Sequence, residues 1–486
     1  MAMPPVSDLQ QQAAECLQQQ KYSEAARLYE QLIQADPAVM SSYWYAGLAL
    51  LLQGQETEAQ MTWLSALSQG EPEQVEAWTA ELVEILLKMA EQQEAQGELQ
   101  TAWLIRQYGR EFAPTHFNNL LAIVLLAAQL NDLATYAEPA LTEATQLLAT
   151  QQLLEVEPER LLRVMNVVAE INPDHPFFPA LYEAGDRISD PEWQICNRLS
   201  QIYAQAGAHL LQQGRDNEAC HKFRDALSLG EKLTEDNFAV AHFNLGICLF
   251  KQGEFTEARE HFQVVKEMDS NFPNIQLQLS RVNYHLQNIP KGYQFSGDWF
   301  GRNVFLWEEH LMHLAHRPDL NILEIGSWEG RSACWFLENL LTQPSSSITC
   351  VDTFAGGGGA DFSGSDNRDV IEARFDHNVS RTGSPATVIK KVGTSREVLR
   401  SLPLNFYDLI YIDGSHFAAD ALEDAALSWG LAKVGAIIIF DDYDFHFENS
   451  PEEDTYIGID AFLNAFSSKL RLIHQSHQVI VEKIAD

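Results

Sequence analysis

Apolar positions follow two regimes along this chain. From residue 8 to about residue 287 they recur every three or four positions between polar stretches, the spacing of amphipathic helices packed side by side. From Asn321 the regime changes, and short apolar runs alternate with helical segments. The runs predict strands at 322–325, 347–351, 387–390, 407–412 and 435–440, then a closing pair at 470–474 and 478–482. Strands that alternate with helices imply a largely parallel sheet covered on both faces, a doubly wound α/β domain of Rossmann-like form. Between the regimes, residues 288–303 carry Pro290, glycines and several aromatics, and read as a linker that packs against something. Residues 304–316 have helical spacing and are expected to cover one edge of a domain running from 304 to 486.

The helical half repeats itself. Residues 8–37 form two amphipathic segments around a turn, and Ala25 and Tyr29 recur as Ala59 and Trp63, 34 positions later. The pattern returns with Gly246, Gly253, Ala258 and Phe262, preceded by a unit with Gly214 and Ala219. The offset between these two units is 39, so an extended turn is expected from Gly230 to Asp236. These residues resemble tetratricopeptide repeats, clearly at 8–70 and 200–270 and divergently at 71–200, where Gly97 and Ala102 carry the likeness. Such an all-α solenoid buries the open face of each helix pair against its neighbour. A coiled coil would need a 3.5-residue apolar period without regular glycines. The resemblance implies a groove for a protein partner, with a spacer or dimerisation arm as the other reading. His209, His221, His242 and His261 sit at helical positions without metal-ligand spacing.

Charge narrows the partners. Lys and Arg number 32 against 68 Asp and Glu, a formal net charge of −36. From Gly301 onward the balance is 14 basic to 28 acidic, so both halves are acidic. A polyphosphate would be repelled, which argues against a nucleic-acid substrate. The six cysteines are scattered and form no CxxC pair, so neither a disulfide framework nor a zinc site is expected, and reduced thiols are. The first residues do not read as a signal peptide, and the longest apolar run, Leu120 to Leu130, is too short to span a bilayer. A cytoplasmic location is the resulting expectation.

The chemistry is expected where the strands end, because ligands of such sheets sit beyond the carboxyl ends. The first strand runs into Glu324, Gly326, Ser327, Gly330 and Ser332, a glycine turn that lets a ligand approach the backbone. Its spacing is GxxxG, not the GxGxxG of dinucleotide binders. Asp352 and Thr353 follow the second strand, where an acid can accept ribose hydroxyls or cap a helix, and Thr394 and Ser395 follow the third. Asp413 and His416 follow the fourth, and Asp441 and Asp442 the fifth. Three carboxylates at one mouth repel one another and suit a hard cation such as Mg²⁺. The glycine-rich loop 354–368 and the acidic loop 446–454 flank the mouth as candidates for lid and acceptor selection.

Taken in order, EIGSWEGRS, CVDTF, YIDGSH, IIIFDDY and GIDAF resemble class I S-adenosylmethionine-dependent methyltransferases, in particular the metal-dependent O-methyltransferase branch and bacterial forms fused behind tetratricopeptide repeats. The resemblance implies S-adenosylmethionine as cofactor. Gly326 and Gly330 would flank its methionine part and Ser332 its carboxylate. Asp352 would take the ribose, and Thr394 and Ser395 would lie near the adenine. It also implies a metal, Mg²⁺, at Asp413, Asp441 and Asp442. Two departures stand out. Catechol-type enzymes have Asp-Asn where this chain has Asp441-Asp442, and a catalytic Lys where it has His416. His416 can serve as a base near neutral pH or as a loop-bonding residue. The implied activity is methylation of a small-molecule or glycan oxygen. A protein methyltransferase recruiting its substrate through the repeats, and a scaffold with a degenerate methyltransferase fold, are the alternatives.

Overall fold

The computed structural model describes residues 6–150, 156–188, 194–355 and 368–486. The glycines at 356–359 expected in a lid lie outside the described residues. The chain divides into two compact units, Met1–Gln252 and Gly253–Asp486.

The first unit is helical. Its opening pairs are Val6–Gln18 with Tyr22–Ala35, Met40–Leu51 with Glu56–Leu67, and Pro72–Gln96 with Leu99–Phe112. The repeated small and aromatic positions explain the pairing: Ala25, Ala59 and Trp63 are fully buried, and Tyr29 nearly so. Trp63 seats only because its neighbour is Gly47, where a Cβ would lie 2.2 Å from the indole nitrogen. That nitrogen instead donates to the carbonyl of Trp44 at 3.1 Å. In the divergent stretch, Pro72–Gln96 opens on a capping box formed by Glu71 and Gln74. Leu120, Ile123, Leu161, Phe177 and Phe178 form its core.

One expectation is corrected here. Cys220 and Cys248, read as reduced thiols, are joined as a disulfide. They lie 28 residues apart on the helices Asp216–Ser228 and Glu235–Lys251, with Cα atoms 5.8 Å apart. Sequence spacing did not reveal them, because the pairing depends on how two helices stack. No helix among the described residues is long and apolar enough to cross a membrane.

The second unit carries a seven-stranded sheet: β1 (Asn321–Ile325), β2 (Ser347–Asp352), β3 (Thr387–Val392), β4 (Tyr407–Ile412), β5 (Ala432–Phe440), β6 (Leu470–Gln475) and β7 (Val479–Lys483). Their order is β3-β2-β1-β4-β5-β7-β6. The first five run parallel, and β7 is antiparallel to both β5 and β6. Alternate side chains enter opposite cores. Ile322, Leu409, Tyr411 and Ile439 pack with the helices Val304–Leu311 and Arg331–Asn339. Leu323, Ile410, Ile412 and Ile438 pack with Ala418–Trp429 and Thr455–Ala465. Ile325 is level with Val351 and Ile412, and Ile412 with Phe440. The residues that follow these strands therefore emerge along one edge.

The second compact unit includes the helices Phe255–Met268 and Ile275–Asn288, whose periodicity reads as repeat. Tyr284 is part of the sheet domain's core, with Phe300 and Trp307. The stretch expected as a linker is a strap pinned along its length. The backbone N–H of Gln294 donates to Asn378 at 2.7 Å and that of Ser296 to Glu329 at 2.6 Å. Asp298 accepts from Arg281 at 2.9 Å and contacts His285 at 2.9 Å.

Candidate active site

The glycine turn after β1 is held from two sides. Gly326 has φ +85°, and a Cβ there would lie 1.7 Å from the carbonyl oxygen of Asp413. The turn after β1 thus lies directly on the turn after β4, and only glycine permits both the φ and the approach. The missing side chain of Gly326 thus makes room for the β4 turn. Gly330, at φ +79°, similarly yields to Phe375, 2.8 Å from a built Cβ.

Glu324, Ser327 and Ser332 form a closed group beneath the turn. Both serine hydroxyls donate to the Glu324 carboxylate, at 2.5 and 2.6 Å. Burial opposes ionisation more than these hydroxyls favour it, and the Glu324 pKa is pushed up to about 7. These three expected cofactor contacts serve one another and brace the turn. Asp352 is engaged as well. Its Oδ2 accepts the N–H groups of Ser327 and Trp328, both at 2.7 Å, and its Oδ1 accepts that of Phe354 at 2.6 Å. A carboxylate has about four acceptor positions, so Oδ1 keeps room for one further hydroxyl. Thr353 bonds locally, its hydroxyl accepting from Ala355 N–H at 3.3 Å. Thr394 and Ser395 stand at the start of the short helix Ser395–Val398, past the end of β3.

The three aspartates converge as expected but are engaged by protein groups. Asp441 Oδ2 accepts from Tyr411 Oη, from Asn303 Nδ2 at 3.1 Å and from Gln478 Nε2 at 3.0 Å. Its Oδ1 accepts the N–H of Asp442 at 2.8 Å. Tyr411 Oη also lies 2.9 Å from Asp413 Oδ2, between the two carboxylates. Burial first, then the Asp442 charge, raises the Asp441 pKa to about 6, and burial with both neighbouring aspartates raises that of Asp413 well above the usual range. Among the described residues no three His, Cys, Asp or Glu side chains are disposed to hold a metal ion. With three donors on Asp441 Oδ2 and the Tyr411 hydroxyl between Asp413 and Asp441, the trio as arranged does not fit an Mg²⁺ ion shared by all three.

Asp442 pairs instead with His416, Oδ2 to Nδ1, at 2.9 Å. Asp442 has φ +55°, in the left-handed region. The His416 ring lies 4.7 Å from that of Phe445. Thr455 Oγ1 donates to the His416 carbonyl at 2.6 Å and fixes the loop. Burial works against the imidazolium, but the bond to Asp442 together with the Asp442 and Asp441 charges outweighs it and holds the His416 pKa above its ordinary value. Arg302 of the strap approaches the same carboxylate, at 3.6 Å from Asp442 and 3.4 Å from Asp444. A small cavity lined by Asp413, His416, Asp441, Asp442 and Thr455 adjoins the pair.

Sequence reading missed Asn303, Arg302, Tyr411 and Gln478. Tyr411 was accessible in principle: it stands two positions before Asp413 on a strand, where side chains share a face. No local pattern connects Asn303 to Asp441, 138 positions away.

Residues 323–443 match the family model of a methyltransferase domain. Residues 12–73 and 198–271 match models of the tetratricopeptide repeat. The chain therefore joins tetratricopeptide repeats to a methyltransferase domain with a Rossmann-like sheet. No curated protein matches the chain. Among solved structures, a protein from Corynebacterium glutamicum is 15% identical over 47% of this chain and 98% of its own, with a TM-score of 0.29. An O-methyltransferase from Bacillus cereus in complex with SAH is 17% identical over 46% of this chain and 96% of its own, with a TM-score of 0.29. A tetratricopeptide repeat protein from Parabacteroides merdae is 17% identical over 56% of this chain and 97% of its own, with a TM-score of 0.19. At these values the fold rests on the strand order and the family-model matches, not on the neighbours.

Proposed function

We propose that the second unit transfers a methyl group from S-adenosylmethionine to an oxygen of a small molecule or glycan, with the repeats engaging a protein partner. The observation that carries the oxygen-acceptor reading is the His416–Asp442 pair beside the β4 turn. Asp442 holds Nδ1, which leaves Nε2 to take a proton. When bound, S-adenosylmethionine supplies a methyl group activated by its sulfonium.

The chain's own residues do the rest. The turn at Gly326–Gly330 borders the methionine part, Asp352 Oδ1 accepts a ribose hydroxyl, and Thr394 and Ser395 border the adenine. His416 Nε2 accepts the acceptor's proton as the oxygen takes the methyl, and Asp442 stabilises the imidazolium that forms. The acidic mouth favours a cationic sulfonium over its neutral product. Alignment of acceptor and methyl supplies much of the acceleration. No step passes through a metal.

A transfer assay with radiolabelled S-adenosylmethionine in host extract tests this, with label separated into protein, glycan–lipid and small-molecule fractions. Label in a small-molecule or glycan fraction, lost in His416→Ala, is the expected result. Label confined to protein would overturn the acceptor class.

A further inference from the structure

We infer that Asp441 is an anchor for protein hydrogen-bond donors and not a metal ligand, so that the aspartate cluster of this domain works without a divalent cation. The inference rests on the methyltransferase reading for its meaning, but its test is independent of catalysis.

The argument starts from capacity. A carboxylate accepts about four hydrogen bonds. Asp441 already accepts from Tyr411, Asn303, Gln478 and the Asp442 N–H. Three of these donors crowd Oδ2, so a cation shared with Asp413 through that oxygen would have to displace at least one of them, while Oδ1 keeps one acceptor position beside the Asp442 N–H.

The donors are not free to leave. Asn303 is 1% exposed and its Oδ1 contacts His477 Nε2 at 2.9 Å. Gln478 is fully buried, and its Oε1 accepts from Trp307 Nε1 at 2.9 Å. Tyr411 is 1% exposed and wedged edge-on against Trp307, with ring centres 4.9 Å apart. Displacing any of them strands a buried donor, which is unfavourable. The Tyr411 hydroxyl also occupies the space between Asp413 and Asp441 that a shared ion would need.

Charge compensation is supplied from within as well. Asp442 faces His416 at 2.9 Å and the Arg302 guanidinium at 3.6 Å. A divalent ion seeking six or more oxygen ligands would meet that guanidinium and an imidazole instead. Asp441 is thus a positioning residue. It ties the strap, the turn between β6 and β7 and the β4 tyrosine to the end of β5, and so sets where Asp442 presents its carboxylate to His416.

The test is a Mn²⁺ titration of the full chain followed by water-proton relaxation, with and without S-adenosylhomocysteine, for the native protein, Asp441→Asn and Asp413→Asn. Such an acidic protein gathers Mn²⁺ weakly at its surface, and the expected result is weak binding that is the same in all three. A stoichiometric Mn²⁺ site in the native protein that either variant loses would overturn the inference. Thermal melts of the native protein guard against a variant that fails to fold. Coincident curves in Mg²⁺ and in EDTA support the inference, and a Mg²⁺-dependent rise in Tm contradicts it. Failure of S-adenosylhomocysteine to bind would count against the methyltransferase reading alone, because the Mn²⁺ result without it still decides the role of Asp441.

Discussion

Asn303 and Asp441 lie 138 positions apart and meet through a buried hydrogen bond of 3.1 Å. One belongs to the strap that precedes the sheet, the other to the end of its fifth strand. Their contact makes the strap part of the site's frame.

The first prediction concerns that contact. Asn303→Ala removes one donor to a buried carboxylate and one partner of His477. Leaving buried polar groups unsatisfied costs about 1–3 kcal/mol. A urea melt of the second unit should show a loss of that order. An unchanged midpoint would mean that the strap is only laid over the surface.

The second concerns where the sheet domain starts. A fragment from Gly253 keeps Tyr284 in the core and Arg281 and His285 on Asp298. A fragment from Gln294 loses all three, and the loss of a buried aromatic alone costs about 3–5 kcal/mol. The longer fragment should melt cooperatively and the shorter should not. Equal cooperativity in both would return the helices 255–288 to the repeat region.

These two cases show where the sequence was legible. The strands of the domain were located from apolar runs, because a buried parallel strand writes its burial into consecutive residues. Glu324, Gly326, Asp352, Asp413 and Asp441 were singled out because the functional groups of such sheets are expected where strands end. What they touch was not legible. Asp352 was read as a ribose ligand and is found bonding three backbone N–H groups, since an acid at a strand end can serve either purpose. The partners of Asp441 were hidden because they arrive from a strap and a hairpin turn with no shared periodicity. The same limit applies to Ile275–Asn288, where a repeat-like helical period also carries Tyr284 of the sheet domain's core.

The third prediction is a pH dependence. His416 has a raised pKa because Asp442 outweighs burial. As a base it must be neutral, so methyl transfer should fall as pH drops through this raised value. Asp442→Asn removes the charge that raises it, and the acid limb should move to lower pH. The sign for stability is opposite. The ion pair stabilises the fold fully below the unfolded value near 6.5 and is lost as pH rises through the folded value. Rate profiles of both proteins check the first statement, and melts across the same range check the second. An acid limb unmoved by Asp442→Asn would exclude His416 as the base.

The fourth bears on the central claim, that the edge built around Gly326 binds S-adenosylmethionine. Gly326 sits at φ +85° with the Asp413 carbonyl where a side chain would begin. A β-branched residue there forces the β1 and β4 turns apart, while the helical unit is untouched. The most direct measurement is isothermal titration of the full chain with S-adenosylhomocysteine, for the native protein and for Gly326→Val. Saturable binding by the native protein, lost in the variant while its helical circular dichroism persists, is the predicted result. A native protein that binds NAD and shows no heat with S-adenosylhomocysteine would contradict the account.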